Sequence, residues 1–258
     1  MRIAVVGATG LVGSALVAAA RKAGHDVIAL SPETGTDVLK PAGLDHQLAG
    51  AEALINVVQS PSLEETDSTA FFVTAANNLA TAAKAADVRR TVVLSIVGVD
   101  LVASTDDAGT GFDGYYRAKY AQEQATAAAT PGTRIVRSTQ FHDIARQAIG
   151  WGLDGNRTVV PDLRIQPVAV PAMVEVLMGA ATGEIDGDLI EVAGPNEEQI
   201  AELSALYAAH VGDPVTVVPG PVGQPVSDGI LLPHAGARLV GPSWSEWLQS
   251  VPIPQRTA

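Results

Sequence analysis

GATGLVG, residues 7–13, is the stretch of sequence that decides the fold. It follows Arg2–Val6, an apolar run without polar alternation that predicts a buried parallel strand, and it precedes a helical pattern over Ser14–Ala23. Glycines spaced G-x-x-G-x-x-G between strand and helix allow a tight turn, a close backbone approach to a pyrophosphate, and close packing of the helix on the strand. The N–H groups and partial positive charge of the helix N-terminus also favour phosphate. The stretch therefore predicts a dinucleotide-binding turn, and a tight turn without a ligand is the alternative.

The rest of the chain alternates between short apolar runs and longer helical patterns. Further strands are predicted at Asp26–Leu30, Ala53–Val58, Arg90–Ile96, Thr133–Arg137, Leu189–Val192 and Val215–Val218. Helices are predicted from Ser62 to about Ala86, over Tyr115–Ala128, from Asn196 through His210, and after Ser243, with capping boxes completed by Glu65, Gln199 and Glu246. This order predicts an α/β fold of the Rossmann type, with a doubly wound parallel sheet and right-handed crossovers.

No linker or internal repeat divides the sequence, so a single domain over residues 1–258 is expected. Residues 1–150 are predicted to form the dinucleotide-binding core. Residues 151–258 are predicted to supply mainly substrate-side elements, as a small C-terminal subdomain. Within them, the Gly- and Pro-rich stretch 219–242 is predicted to be an ordered loop over the substrate side.

Composition and charge argue against several classes of partner. The formal net charge is −12 and the sequence has no basic patch, which argues against a nucleic-acid binder. Because the chain has no cysteine, disulfides, thiolate metal sites and cysteine nucleophiles are excluded. The five histidines are scattered without the spacing of a metal motif, so no metal is expected. No membrane contact is expected either, and a cytoplasmic location is predicted.

Tyr115 and Lys119 stand four residues apart at the start of a predicted helix, so their side chains share one face. A tyrosine hydroxyl with its ordinary pKa of about 10 is a poor acid–base group at neutral pH. A neighbouring ammonium stabilises the phenolate and lowers that pKa. Such a pair suits proton transfer to a carbonyl oxygen, although a Tyr and a Lys at this spacing are also a common surface pairing.

Three stretches resemble the short-chain dehydrogenase/reductase superfamily, and most closely its atypical, NmrA-like branch near the extended type. They are GATGLVG at 7–13, TVVLSIVGV at 91–99 and YYRAK at 115–119, with weaker similarity in RSTQF at 137–141 and QPVAV at 166–170. The resemblance implies a Rossmann core, a nicotinamide cofactor along the carboxyl ends of the strands, and a substrate pocket formed by the last third of the chain.

The resemblance also implies roles for individual residues. The acid–base tyrosine of the family falls on Tyr115, and its lysine, which also holds the nicotinamide ribose, falls on Lys119. The serine that hydrogen-bonds the substrate oxygen matches Ser95 best. If the aligned position is instead that of Val97, two residues later, Ser95 is structural. Tyr116 is a further candidate for the substrate pocket.

The end of the second strand usually distinguishes NAD from NADP. An acidic side chain there binds the ribose hydroxyls, whereas an arginine accommodates the 2′-phosphate. This chain has Leu30-Ser31-Pro32-Glu33, with no Lys or Arg between residues 22 and 40, so NAD is favoured over NADP. The residues predicted to contact the cofactor are Gly7, Thr9, Gly10, Leu11, Val12, Gly13, Ser31, Asn56, Val57, Lys119, Gln140 and Phe141; for Asn56, Gln140 and Phe141 a packing role is the equal alternative.

These features favour an NAD(P)-dependent oxidoreductase acting on a small carbonyl, alcohol or enone, with Tyr115 as the acid–base group. A non-catalytic NAD(P)-binding sensor with a protein partner and an NAD-retaining epimerase or dehydratase are the alternatives. The helices that begin at Ser62 and near Tyr115 are candidates for a homodimer face. His142 is expected at the surface, and Trp151 is a candidate for lining the pocket.

Overall fold

The computed structural model describes residues 1–130, 132–224 and 226–253. Its strands are β1 Arg2–Val6, β2 Asp26–Leu30, β3 Ala53–Asn56, β4 Arg90–Ile96, β5 Thr133–Ser138, β6 Leu153–Asp154, β7 Arg157–Pro161, β8 Arg164–Ile165, β9 Leu189–Ala193, β10 Glu198–Gln199, β11 Thr216–Gly220 and β12 Arg238–Leu239. Its α-helices are α1 Leu11–Lys22, α2 Leu44–Gln47, α3 Glu65–Ala85, α4 Val99–Ala103, α5 Asp113–Ala129, α6 Ile144–Trp151, α7 Val170–Thr182, α8 Ile200–Val211 and α9 Trp244–Ser250.

Seven strands form one parallel sheet in the order β12-β9-β5-β4-β3-β1-β2. The chain runs outward from β1 to β2 and then returns to place β3 on the other side of β1. The strand order therefore reverses between β1 and β3, and parallel α/β sheets bind ligands in the crevice at the carboxyl ends of such a pair. The predicted Rossmann-type α/β fold is confirmed.

Helices cover both faces of the sheet, because alternate strand residues point to opposite sides. Ile3 and Val5 pack on one side with α1 and α7, whereas Ala4 and Val6 pack on the other with α3 and α5. A separate cluster joins α6, β7, β8, α8 and α9 around the carboxyl edge of the sheet, with Ile165, Leu203 and Trp244 at its centre. The site described below lies between this cluster and the sheet.

Two predicted helix starts are wrong. α3 begins at Glu65 instead of Ser62, because Glu64 is extended and the Ser62 hydroxyl accepts a hydrogen bond from the Glu64 N–H before the helix starts. α8 begins at Ile200 instead of Asn196, because Glu198–Gln199 pairs with β8 as a short antiparallel strand. The capping box of Ser243 with Glu246 is confirmed.

The second half of the chain contributes more to the central sheet than expected. α7 was not predicted, yet Met173 and Leu177 are fully buried against the α1 side of the sheet, and β9 pairs with β5. The central sheet therefore also contains strands from beyond residue 150, namely β9 and β12. None of the helices within the described residues is long and apolar enough to span a bilayer.

Candidate active site

The glycine turn connects β1 to α1 in a form that only glycine permits. Gly7 has a φ of +87°, and a Cβ added there would lie 2.9 Å from the carbonyl carbon and oxygen of Val57. A Cβ at Gly13 would overlap the carbonyl oxygen of Gly7, which is why α1 can pack so closely against the turn. Both glycines therefore set the shape of the turn.

Gly10 has a different use, because it opens the turn to the outside. A Cβ there would lie 3.4 Å from the Gly7 carbonyl oxygen and would meet no other atom of the described residues within 4 Å. Gly10 is also the N-cap of α1, and within the described chain no side chain caps this helix and its first turn contains no acidic residue. Free N–H groups behind a residue without a side chain fit a diphosphate.

The residues after β2 are arranged around Glu33. Thr9, in the glycine turn, donates a hydrogen bond to the Glu33 carboxylate at 2.8 Å. A bond from the Glu33 backbone N–H and the bond from Thr9 lower the pKa of this fully exposed carboxyl group. Ser31 is instead buried, and its hydroxyl accepts a hydrogen bond from the Thr34 N–H at 3.4 Å. The structure thus gives Glu33 a direct side-chain bond to the turn, whereas the predicted Ser31 is buried behind it and also hydrogen-bonds Glu33.

A cavity of about 400 Å³ connects the glycine turn to the predicted catalytic residues. Its wall includes Gly10, Leu11, Val12, Val57, Ser95, Tyr115, Lys119, Gln140 and Phe141, all of which were predicted as site residues. It also includes residues that were not predicted, notably Gln59, Ser138 and Gln147. Ser138 is the last residue of β5 and pairs with Ile96, the last residue of β4, so the position of both at the carboxyl end of their strands was the signal that could have identified Ser138.

Tyr115 lies in the first turn of α5 and is 6% exposed. Its ring stands edge-on to Phe72 of α3, with 5.7 Å between the ring centroids. Burial raises the pKa of the Tyr115 hydroxyl above its ordinary value, and the side chain of Gln59 opposes this rise only in part. The hydroxyl is therefore neutral at physiological pH and is a proton donor.

Lys119 does not lower the pKa of Tyr115 as the sequence predicted. Its ammonium donates to the Leu94 carbonyl oxygen at 2.8 Å and to the Gln122 amide oxygen at 2.5 Å, and lies 4.8 Å from the centre of the Phe72 ring. Burial lowers the pKa of Lys119 to about 7, against the opposite pull of Glu123. Burial is thus the largest influence on the pKa of both Tyr115 and Lys119. The contacts of Lys119 with Leu94 of β4 and Gln122 of α5 fix the direction of its side chain.

Ser95 lies on the cavity wall, and its buried hydroxyl has no hydrogen-bond partner within the described residues. Val97 is fully buried, and its N–H donates to the Ser138 carbonyl oxygen at 2.9 Å. Of the two positions considered for the family serine, the structure thus places Ser95 at the cavity. An unpartnered buried hydroxyl suits a hydrogen bond to a ligand oxygen.

Asn56 supports the cavity wall through a hydrogen bond to the backbone. Its side-chain oxygen accepts a hydrogen bond from the Val58 N–H at 3.2 Å, and the residue is 2% exposed. This bond fixes the turn that brings Val57 and Val58 to the cavity wall. Of the two roles considered for Asn56, the geometry favours support of the wall.

A second cavity of about 380 Å³ continues from the first, and the two share Tyr116, Gln140 and Ile144. Burial raises the pKa of the Tyr116 hydroxyl to about 12, with the neighbouring Gln140 opposing the rise. Trp151 lines this second cavity, as do Pro221, Val222 and Leu231 from the predicted loop at 219–242.

His142 was expected at the surface, and this is wrong. The side chain is buried, its Nε2 lies 3.2 Å from the Pro242 carbonyl oxygen, and its ring packs on Trp247. The His142 carbonyl oxygen also accepts a hydrogen bond from the Trp244 indole at 3.1 Å. These contacts fix α9 against the loop after β5, so His142 has a structural role. Among the described residues, no group of three His, Asp or Glu side chains is placed to hold a metal ion.

Comparisons with known proteins agree with this geometry. A protein family described as NAD(P)H-binding matches residues 7–170, more than half of the chain. The dTDP-4-dehydrorhamnose reductase of Mycolicibacterium smegmatis is 27% identical over 239 residues, which cover 84% of this chain and 72% of that protein.

Solved structures support the fold. A dTDP-4-dehydrorhamnose reductase from Clostridium acetobutylicum superposes with a TM-score of 0.75 and 16% identity, over 97% of this chain and 98% of that one. A short-chain dehydrogenase/reductase superfamily protein from Agrobacterium tumefaciens with bound NAD gives a TM-score of 0.71 and 19% identity, over 97% and 95%. Since the family match spans more than half of the chain and the fold and the glycine turn agree with it, the chain belongs to the protein family described as NAD(P)H-binding.

Proposed function

We propose that this protein is an NAD-dependent reductase of a small carbonyl compound, with Tyr115 as its proton donor. The observation that carries the proposal is the single cavity that brings Gly10 and the first turn of α1 together with Tyr115, Ser95 and Lys119. A dinucleotide bound with its diphosphate at α1 supplies the hydride when its nicotinamide lies in that cavity.

The side chains divide the remaining chemistry between them. Ser95 has a buried hydroxyl free to hydrogen-bond a substrate oxygen. Burial raises the pKa of Tyr115, so its hydroxyl is protonated at neutral pH and can donate a hydrogen bond to the substrate oxygen. The raised pKa makes the hydroxyl a weaker acid, so its proton would transfer only as that oxygen gains negative charge during reduction. Lys119 lines the same cavity and is held by the Leu94 carbonyl oxygen and the Gln122 amide oxygen; in this proposal its third N–H would hydrogen-bond the ribose of the nicotinamide half.

Glu33 supports NAD over NADP as the cofactor. Its carboxylate is fixed beside the glycine turn by Thr9, where an acidic side chain binds the ribose hydroxyls of NAD and repels the 2′-phosphate of NADP. No lysine or arginine stands in the sequence between Lys22 and Lys40 to neutralise that phosphate.

The proposal is tested by replacing Tyr115 with Phe. NADH oxidation with a panel of aldehydes, ketones and enones should fall by about 100-fold or more, since general acid catalysis contributes on the order of 10²–10⁴ in rate. NADH affinity, measured by calorimetry, should change little. Tyr120→Phe is the matched control, because Tyr120 belongs to the same helix, α5, but its side chain packs in a different apolar cluster from that of Tyr115. Equal turnover in Tyr115→Phe and the unaltered protein would contradict the assignment, and NADH binding without turnover on any carbonyl would favour a sensor.

A further inference from the structure

We infer that the second cavity is the substrate site for an uncharged, mainly apolar carbonyl compound, and that it is not built for a nucleoside-diphosphate sugar. The inference rests on the proposed reductase function, because it places the substrate beyond Tyr116, next to the cofactor cavity.

The wall of the second cavity is apolar. The apolar lining residues come from α6, the β8 region, α8 and the 219–242 loop: Ile144, Leu163, Ile165, Ile200, Val222 and Leu231. Phe112 and Trp151 add an edge-on aromatic pair with ring centroids 5.5 Å apart. None of the lining residues that the structure describes carries a charge. Burying a charged ligand in such a wall is costly unless the charge is paired.

A nucleoside diphosphate would need cationic partners that neither cavity supplies. Across both described walls Lys119 is the single basic residue, it already donates to Leu94 and Gln122, and it lies in the cofactor cavity. Arg164, next to the lining residue Ile165, is 44% exposed at its side chain and pairs with Glu197 at 3.4 Å. Two phosphate charges would therefore remain unpaired.

The free polar groups lie at the junction of the two cavities. The Gln140 amide is buried there, and its only neighbour for a hydrogen bond among the described residues is the Tyr116 hydroxyl, so at least one of its two polar atoms is free; Tyr116 and Gln140 line both cavities. The Thr110 hydroxyl, also on the second wall, is already bonded to Asp113 and to the Phe112 N–H. A substrate that fits this arrangement would place its apolar part in the second cavity and its carbonyl group at the junction, towards Tyr115 and Ser95.

The mouth of the cavity is formed by exposed apolar side chains. Trp151 is 44% exposed and Val159 is 40% exposed, and both also line the wall. The loops at 109–111 and 221–223 meet beside them, where a Cβ on Gly109 would touch Gly223 at 3.4 Å. Apolar groups at the mouth favour entry of an apolar ligand from water.

A homologous series of methyl ketones, from 2-butanone to 2-octanone, tests the inference with NADH as the reductant. KM should fall by about fourfold for each methylene that enters the cavity. Val159→Trp should fill the mouth and raise KM for 2-octanone at least fivefold while 2-butanone is little affected. Leu153→Trp is the matched control, because Leu153 is an exposed apolar residue of the same hairpin, in β6 paired with β7. Equal thermal unfolding of both variants excludes misfolding as the cause.

Calorimetry with the NAD-bound protein separates this inference from the proposed function. Binding of 2-octanone that Val159→Trp weakens supports the apolar site even if no ketone is reduced, and in that case the reductase proposal fails by itself. Binding of dTDP-glucose with an affinity above that of 2-octanone overturns the inference. So does reduction of the ketones with a KM that neither chain length nor Val159→Trp alters, and in that case the reductase proposal stands.

Discussion

The two ionisable groups of the predicted Tyr-x-x-x-Lys pair are both shifted by burial, towards their neutral forms. The pKa of Tyr115 rises and the pKa of Lys119 falls to about 7, because both side chains are removed from water. A neutral tyrosine is ready to donate a proton. A lysine that titrates near neutrality has consequences for the stability of the protein.

Lys119 should make stability depend on pH. Between about pH 7 and pH 10 the lysine is neutral in the folded protein and protonated in the unfolded chain, so the unfolded state binds more protons and stability rises with pH. Below pH 7 both states are charged and the full cost of burial is present. We expect Lys119→Met to raise Tm relative to the unaltered protein more at pH 6 than at pH 9.5, by about 2 °C or more.

Differential scanning calorimetry at the two pH values measures this effect. Lys84→Met, at an exposed position in the last turn of α3, is the control and should change Tm equally at both. A Tm difference for Lys119→Met that is the same at pH 6 and pH 9.5 would show that the lysine is not desolvated as described.

Glu33 should determine the choice of cofactor. Replacing it with Arg removes the carboxylate that Thr9 holds and supplies a cation for a 2′-phosphate, so the ratio of NADPH to NADH affinity should rise several-fold. Fluorescence titration with both dinucleotides gives the ratio. Glu184→Arg makes the same charge change at an exposed position after α7 and should leave it unchanged. An unaltered ratio in Glu33→Arg would place the 2′ position of the ribose elsewhere.

At the scale of elements, the connection from β1 to α1 separates shape from binding. Gly7 and Gly13 are required by close backbone contacts, whereas Gly10 leaves space where a ligand can lie. A methyl group added at each position therefore has a different consequence, although the three glycines look alike in sequence.

Gly13→Ala should lower stability, because its Cβ overlaps the Gly7 carbonyl oxygen and forces α1 away from the turn. Gly10→Ala should fold with nearly unchanged Tm, since its Cβ makes only one contact at 3.4 Å, yet weaken NADH binding by obstructing the diphosphate. Thermal unfolding and NADH titration of both variants measure the two effects. Normal NADH affinity in Gly10→Ala would mean that the diphosphate does not approach this turn.

The sequence predicts short strands best. The observed bounds of β1, β2 and β4 equal the predicted ones, because each is a short, mainly apolar run that a turn or a change of composition ends. α7 was missed because its own sequence is almost wholly apolar, which hides the helical period, and because Pro171 in its first turn resembled a break. The predicted starts of α3 and α8 were wrong because a capping box is a local sequence pattern, and in both places the residues just before the helix are extended instead.

The site was less predictable than the fold. Most wall residues could be predicted, since the glycine turn and the ends of β4 and β5 carry recognisable motifs. The Lys119 contacts with Leu94 and Gln122 could not, because they depend on how α5 lies against β4. The second cavity could not be predicted either, since its wall is assembled from α6, β7, β8, α8 and loops that are far apart in sequence.

At the scale of the whole molecule, Arg137 links four elements beneath the site. From β5 it makes two hydrogen bonds to the Glu123 carboxylate of α5, at 3.0 and 2.8 Å, and pairs with Asp100 of α4 at 3.0 Å. Glu191 of β9 lies 3.9 Å away and is bonded in turn to His234 in the loop before β12. These charged groups connect α5 to α4, to the outer half of the sheet and to the loop before β12.

Arg137→Met should destabilise the protein strongly, because it leaves the Glu123 carboxylate buried and unpaired. Breaking such a pair costs roughly 3–5 kcal/mol, a fall of about 10 °C in Tm. Arg134→Met is the matched control in the same strand, since Arg134 pairs with the exposed Asp186 and such pairs contribute about 0–1 kcal/mol. Adding Glu123→Leu to Arg137→Met should recover part of the loss. Equal Tm values for the two single variants would show that the buried pair has no special role.

The wall shared by the two cavities has an evolutionary consequence. Tyr116, Gln140 and Ile144 belong to or adjoin the sheet and its helices, whereas the far rim at 109–111 and 221–223 consists of loops that carry no strand of the main sheet. Substitutions in those loops can therefore change the substrate specificity while the dinucleotide-binding residues stay the same. Relatives of this protein should therefore differ first in the rim loops and in substrate specificity, and only later in the dinucleotide that they bind.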